Sequence, residues 1–314
     1  MSVAARAKKW LFEHSPAVYR LTSLAYRSRR VIEGVAYLFE NRHRLMMGER
    51  PILITYPGES SPRWTASHPA LDRVLQLNRA HYHGLIDSFA AFRPAIEQIP
   101  SSAPPDSPEP SWTNSFFSGV DAFALYGMLA TTRPGLYLEI GSGNSTKIAR
   151  RAVRDHGLPT KVLSVDPAPR AEVDALCDEV VRQRLEDTNL EVIDRLQPGD
   201  ILFFDGSHYA FMSSDVVVFF FEILPRLRPG VLVHIHDIFL PYDYPVTWAE
   251  RYYSEQYLLA MALLSPTPFV DVIFPAAFVE RDPELGQAIH QRWGPRAEGS
   301  GASFWLRTHG TYGR

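Results

Sequence analysis

From residue 119 onward the chain alternates between short apolar runs and longer segments with helical spacing. Residues 136–140 (L-Y-L-E-I), 161–165, 180–185, 201–204 and 231–235 read as five strands. I-L-F-F and V-L-V have no polar interruption, the pattern of strands buried on both faces. Helices are predicted between them over 119–130, 144–156, near 171–178, over 213–227 and over 247–264. Gly157 and Pro159 stop the second, and Arg228-Pro229-Gly230 closes the fourth. Two last strands, 269–274 and 303–308, pair as an antiparallel hairpin at one edge, with 276–301 as a long excursion. Alternating strands and helices predict a mostly parallel seven-stranded sheet with helices on both faces, an α/β fold.

The first 110 residues have a different rhythm. Helical spacing is predicted over 1–48, a short strand over 51–57 (P-I-L-I-T-Y-P), and a helix over 67–92. In that helix Leu71, Val74, Leu75 and Leu77 share one side, and Ser67 is the expected N-cap before Pro69. The Pro/Ser run 99–110 cannot hold a helix or a central strand and reads as a linker. The expected division is an N-terminal helical extension with linker, 1–110, and the sheet domain, 111–314. No internal repeat is present.

Charge changes the picture only at the N-terminus. The 314 residues carry a net charge of −3, yet the first fifty hold Arg6, Lys8, Lys9, Arg20, Arg27, Arg29, Arg30, Arg42 and Arg44. Apolar residues recur among them at helical spacing. A solvated helix packing on its own protein or on a partner subunit is preferred over peripheral contact with an anionic membrane. No apolar run reaches the roughly 18 residues that span a bilayer, and no signal peptide is recognisable. Nothing global points to nucleic acid. One cysteine, Cys177, excludes an internal disulfide and fits a reducing, cytoplasmic setting. A homo-oligomer is expected.

Ligands of open parallel sheets bind beyond the carboxyl ends of the strands. After the first strand stands Glu139-Ile-Gly-Ser-Gly-Asn-Ser145, where Gly141 and Gly143 allow a sharp turn and a close ligand. The next helix offers unpaired N–H groups. Asp166 ends the second strand, placed for ribose hydroxyls. A dinucleotide loop would carry a third glycine, but Thr146 stands there. The carboxylate of Glu139 would also repel a pyrophosphate. No G-K-[ST] follows, which excludes a P-loop.

E-I-G-S-G-N-S followed by V-D resembles the cofactor motifs of class I methyltransferases dependent on S-adenosylmethionine (SAM). The resemblance covers about 112–307 and implies a Rossmann-like fold. It implies a cofactor set of Glu139, Gly141, Ser142, Gly143, Asn144, Ser145, Asp166 and Asp205, with Glu139 ordering the loop. F-F-D-G-S-H (203–208), L-P-R-L-R-P-G (224–230) and H-I-H-D-I-F-L-P (234–241) are broadly similar to a bacterial subgroup near macrocin O-methyltransferase and cephalosporin-hydroxylase-like enzymes.

The later strand ends carry Asp205-Gly-Ser-His208 and His236-Asp237. Two chemistries stay open. Asp205, His236 and Asp237 match the positions of a divalent-metal site in catechol-type O-methyltransferases, although His236 replaces an oxygen ligand. Alternatively His208 or His236 is a general base oriented by Asp237 or Asp205. His234 lies one pleat deeper and reads as a core histidine. Trp112, Asn114 and Phe117 are candidates to cover the cofactor, and 241–245 (P-Y-D-Y-P) to line the acceptor pocket. The expected reaction is methyl transfer to an oxygen of a small-molecule or sugar acceptor. N-methylation, for instance of a peptide, and a non-catalytic SAM-fold partner protein are the rivals.

Overall fold

The computed structural model describes residues 61–309, apart from Thr65, Pro105, Ser115, 170–172, Glu298 and Ser300. The helix expected over 1–48 and the strand over 51–57 lie outside the described residues. The chain divides into two compact units after Glu59, and the described residues belong to the second.

Seven strands form one sheet: β1 Leu136–Ile140, β2 Lys161–Val165, β3 Glu179–Val181, β4 Ile201–Phe204, β5 Leu232–Ile235, β6 Val270–Pro275 and β7 Phe304–Thr308. Their order is β3-β2-β1-β4-β5-β7-β6. The first five run parallel, and β7 inserts antiparallel between β5 and β6. This is the Rossmann-like class I methyltransferase arrangement, with the antiparallel pair at one edge as the pattern predicted. β1, β4 and β5 are buried along their whole length; the uninterrupted apolar run of β4 fits that, while β1 and β5 each carry one polar residue, Glu139 and His234, into the core.

Besides a single turn at Arg93–Ile96, the described α-helices are α1 Pro69–Gln76, α2 Arg79–Phe89, α3 Gly119–Thr132, α4 Asn144–Asp155, α5 Asp215–Val218, α6 Glu255–Leu263, α7 Ala276–Arg281 and α8 Pro283–Trp293. Several differ from the periodicity. The helix expected over 67–92 breaks at Leu77, and its cap is His68, whose ring accepts from Leu71 N, rather than Ser67. Between β2 and β3 the described residues form only the 3₁₀ turn Asp174–Leu176. The helix expected over 213–227 starts as α5, widens to a π turn at Phe219–Ile223 and ends in a 3₁₀ turn at Pro225. Proline there lacks the N–H that an α-helix would need. The excursion 276–301 folds as α7 and α8, because Asp282 turns the chain and caps α8 through Glu284 N and Leu285 N. The helix expected over 247–264 is also two pieces. A 3₁₀ segment Val246–Arg251 ends at Tyr252, a non-glycine residue at φ 55°, and α6 starts after it.

The Pro/Ser run 99–110 lies inside the second unit rather than at its border. Leu71, Leu75, Tyr82, Ile86, Phe89, Ile96 and Ile99 are buried in the same core as the sheet. Within this unit, α2 is held to the sheet layer mainly by aromatic contacts. The Trp293 ring stacks on Phe123 at 4.4 Å and on Phe89 at 6.0 Å, and its Nε1 donates to Ile86 O at 2.8 Å. One indole thus joins α8, α3 and α2.

The turn from β1 into α4 positions the site. Glu139 is fully buried; its carboxylate accepts from Tyr137 Oη at 2.8 Å and from Thr146 Oγ1. Thr146 Oγ1 in turn accepts from Gly143 N at 3.0 Å. The residue that replaces a third glycine therefore caps α4 and relays the loop onto Glu139. Burial pushes the Glu139 carboxyl up to about 7, against the hydrogen bonds from Ser145, Thr146 and Tyr137 that pull it down.

Two outcomes follow from this packing. Trp293→Ala should destabilise the domain by about 3–5 kcal/mol, read as a lowered denaturant midpoint; an unchanged midpoint would mean that α2 is not held through this ring. A carboxyl raised in the folded state stabilises fully below its unfolded pKa, and that contribution fades as pH rises to the folded value. Glu139 should therefore cost the fold about 3 kcal/mol between pH of about 4.5 and about 7. Urea unfolding across that range should show a flatter slope for Glu139→Gln than for the parent; equal slopes would refute the assignment.

Candidate active site

Three strand ends meet at one point. Ile140 O accepts from Asp205 N at 2.9 Å, and Phe204 O accepts from His236 N at 2.9 Å, so the loops after β1, β4 and β5 leave the sheet in register. Gly141, at φ 81°, passes so close to Asp205 that a Cβ would stand 1.9 Å from Asp205 O. Glycine is required there by space and by conformation together. Ser142 N donates to Asp166 Oδ2 at 2.7 Å, and Asp166 Oδ1 accepts from Ala168 N at 2.8 Å. Asp166 thus ties the loop after β1 to the end of β2.

Two cavities flank Ser142. One, about 290 Å³, is lined by Ser142, Gly143, Asn144 and Ser145 and by Asn114 and Phe117 opposite them. The other, about 310 Å³, is lined by Gly141, Ser142 and Asp166 and by Arg184 to Glu186. Asp205 lines both. Of the expected cofactor residues, seven face these cavities. Glu139 faces neither and acts from beneath the loop.

A third cavity, about 480 Å³, opens on the other side of Asp205. It gathers His208, His236, Asp237 and Asp121 with Phe239, Trp248, Arg251 and Tyr253. All three expected catalytic residues are therefore together. Tyr242 and Asp243, expected to line it, lie outside this wall; Asp243 accepts from Arg63 N and Tyr257 Oη instead.

The electrostatics centre on His208. Its Nδ1 lies 2.5 Å from Glu255 Oε1, and its Nε2 lies 3.5 Å from both Asp205 Oδ1 and Asp237 Oδ2. Burial alone would discharge the ring, but Glu255, Asp205 and Asp237 outweigh it and hold the imidazole up at about 9. At neutral pH His208 then carries a proton, which suits it to donating or to neutralising charge better than to the role of base. His236 is buried too, with Nε2 3.6 Å from Asp237 Oδ1. Burial pushes it down, and Asp237, Asp205 and Asp121 more than reverse that.

His234 is a core residue. It is stacked on Phe203 at 4.0 Å, joined to Ser303 Oγ at 2.7 Å, and burial holds it neutral. Among the described residues no group of three or more His, Cys, Asp or Glu side chains is arranged to hold a metal ion. Within the expected trio Asp205, His236 and Asp237, the two carboxylates each lie 3.5 Å from Nε2 of His208. No described helix is long and apolar enough to cross a membrane.

Two side chains that shape this cavity region escaped the sequence reading. Asp121, in the first turn of α3, accepts from Ala302 N and Ser303 N and fixes the approach to β7 beside His236. Glu255 was hidden inside an apparently continuous helix; Ser254 before it was the available sign of a helix start.

Residues 138–238 match a family model described as a methyltransferase domain, a span short of half the chain. No curated protein matches the chain. Among solved structures, cofactor-bound Rv0187 from MTB is 15% identical, over 78% of this chain and 92% of that one, with a TM-score of 0.37. The O-methyltransferase from Bacillus cereus in complex with SAH is 16% identical, over 78% and 93%, with a TM-score of 0.33. The SAH-bound Podospora anserina methyltransferase PaMTH1 is 12% identical, over 83% and 100%, with a TM-score of 0.36. Likenesses at these scores say nothing about what this chain acts on.

Proposed function

We propose that this chain is a SAM-dependent methyltransferase that transfers the methyl group to an oxygen of a small-molecule or sugar acceptor. The observation that carries the reading is the place of Asp205. It lines both cavities beside the glycine loop and also the third cavity with its two histidines. A donor laid across the loop would bring its reactive group to the wall it shares with an acceptor. The match of 138–238 to a methyltransferase domain supports the same reading.

SAM supplies an already activated methyl group, so the protein has to align the acceptor and accept its proton. In this reading the ribose hydroxyls lie near Asp166, and the methionine end lies toward the first turn of α4. The unpaired N–H groups of that turn favour a carboxylate. Asp237 stands between His208 and His236 and takes the proton of the acceptor hydroxyl. The charged His208 ring offsets negative charge as it develops on the oxygen. A third cavity of about 480 Å³ suits a small acceptor.

Calorimetry with SAM, its demethylated product SAH and NAD tests the donor. SAM and SAH should bind, and NAD should not; silence with both SAM and SAH would end the reading. Gly141→Ala should abolish binding, because the added carbon collides with Asp205 O. Asp166→Ala, a milder change, should weaken SAH by about tenfold or more through lost hydrogen bonds to a charged group. Turnover with hydroxylated and aminated acceptors, read by mass spectrometry, separates O-methyl from N-methyl products.

A further inference from the structure

Glu255 is fully buried at the first turn of α6, and its Oε2 has no hydrogen-bond partner. A carboxylate in that setting is costly unless its other oxygen is strongly engaged. Its one engagement is His208, 2.5 Å away and itself 3% exposed. The backbone reinforces the pair. Ser254 N donates to His208 O at 2.9 Å, and Ser254 Oγ accepts from Ala210 N at 3.0 Å. The start of α6 is thereby stapled to the loop after β4. The loop needs the staple, because His208 sits at φ 68°, a region that L-residues with side chains rarely adopt.

We infer that Glu255 is a positioning residue for methyl transfer: by accepting the Nδ1–H of His208 it makes Nε2 the nitrogen presented to the acceptor. Which imidazole nitrogen is free for chemistry is set by the hydrogen bond that the other one makes. Here Nδ1 is committed inside the protein. Nε2 faces the third cavity, 3.5 Å from Asp205 Oδ1 and from Asp237 Oδ2, beyond ordinary N–H···O length for either. It is consumed by neither carboxylate and lies where an acceptor oxygen between them would meet it. The Tyr253 ring, 4.3 Å from that of His208, limits its rotation. Glu255 touches no wall of the three cavities, so it acts only through His208. The inference rests on the methyltransferase reading above for the role of Nε2, but not for the bond itself.

The test uses the full-length protein labelled with ¹⁵N and saturated with SAH. Long-range imidazole ¹H–¹⁵N correlations are assigned by the signal missing from His208→Gln. The parent should show an exchange-protected proton on Nδ1 of His208. Glu255→Gln should keep it, because the amide oxygen still accepts, and Glu255→Leu should lose it while SAH binding persists. An unprotected Nδ1 in the parent, or an Nδ1 proton retained in Glu255→Leu, would overturn the inference. Should Glu255→Leu fail to fold, the parent and the Gln variant decide: loss of the signal in Glu255→Gln counts against the bond geometry. A parent that binds no SAH would instead fell the methyltransferase reading and the role given to Nε2, an outcome separate from loss of the Nδ1 signal.

Discussion

The approach of Gly141 to the carbonyl of Asp205 sets the geometry of everything around it. β1 and β4 are adjacent parallel strands, paired from Tyr137 with Ile201 to Ile140 with Phe204. Parallel neighbours release their loops side by side at one end of the sheet. The two loops can lie in contact only if one of them has no side chain at the crossing. Gly141 meets that condition, and Asp205 is consequently drawn against the glycine loop instead of into solvent. Its carboxylate then borders three cavities at once. Were the loops one side chain further apart, the two cavities beside Ser142 would no longer share a wall with the one holding His208.

Around that crossing, charge is buried in a pattern that polar bonds alone do not explain. Glu139, Asp121 and Glu255 are each nearly or wholly inaccessible, on three separate elements. Each holds a loop rather than a surface. Glu139 holds the glycine turn through Thr146, Asp121 holds the entry to β7 through two backbone N–H groups, and Glu255 holds His208. A buried carboxylate gives little net stability, but removing its partner is costly, so such pairs define a geometry more than they strengthen a fold. The site is thus shaped from below by carboxylates that the reactants need not touch.

Much of the fold and part of the site were legible in the chain. The apolar runs of β1, β4 and β5, the glycines of 139–145 and the acids at strand ends are local signals, and the structure places them as the pattern predicts. Several of the misses were non-local. Thr146 looked like an absent glycine and is a cap, because its partner Glu139 is seven residues back on a different element. Nothing local to the Pro/Ser run 99–110 says that Phe89, before it, will meet Trp293 two hundred residues later. Glu255 looked like one more polar position on a helix. Tyr252, turning left-handed, breaks that helix; a tyrosine carries no sequence signal for such a turn, and Ser254 was the one local sign of the new start.

The backbone at the strand ends argues that side chains, not turns, are what these positions provide. His208 and Asp237 both adopt positive φ, 68° and 56°, four residues after β4 and two after β5. Glycine would make either turn without penalty, as Gly141 does after β1. A histidine and an aspartate instead accept the strain, on the order of 1–3 kcal/mol at each residue. The compensation is visible for His208, in Glu255 and in the Ser254 staple. For Asp237 it comes from the two rings that flank its carboxylate, His208 at 3.5 Å and His236 at 3.6 Å. The His208 ring thereby reaches Asp205, and the Asp237 carboxylate reaches both histidines. Strain of this kind is spent only where surrounding contacts over-determine it. Here those contacts converge on the cavity that holds His208, His236 and Asp237, where the proposed reaction would put its acceptor oxygen.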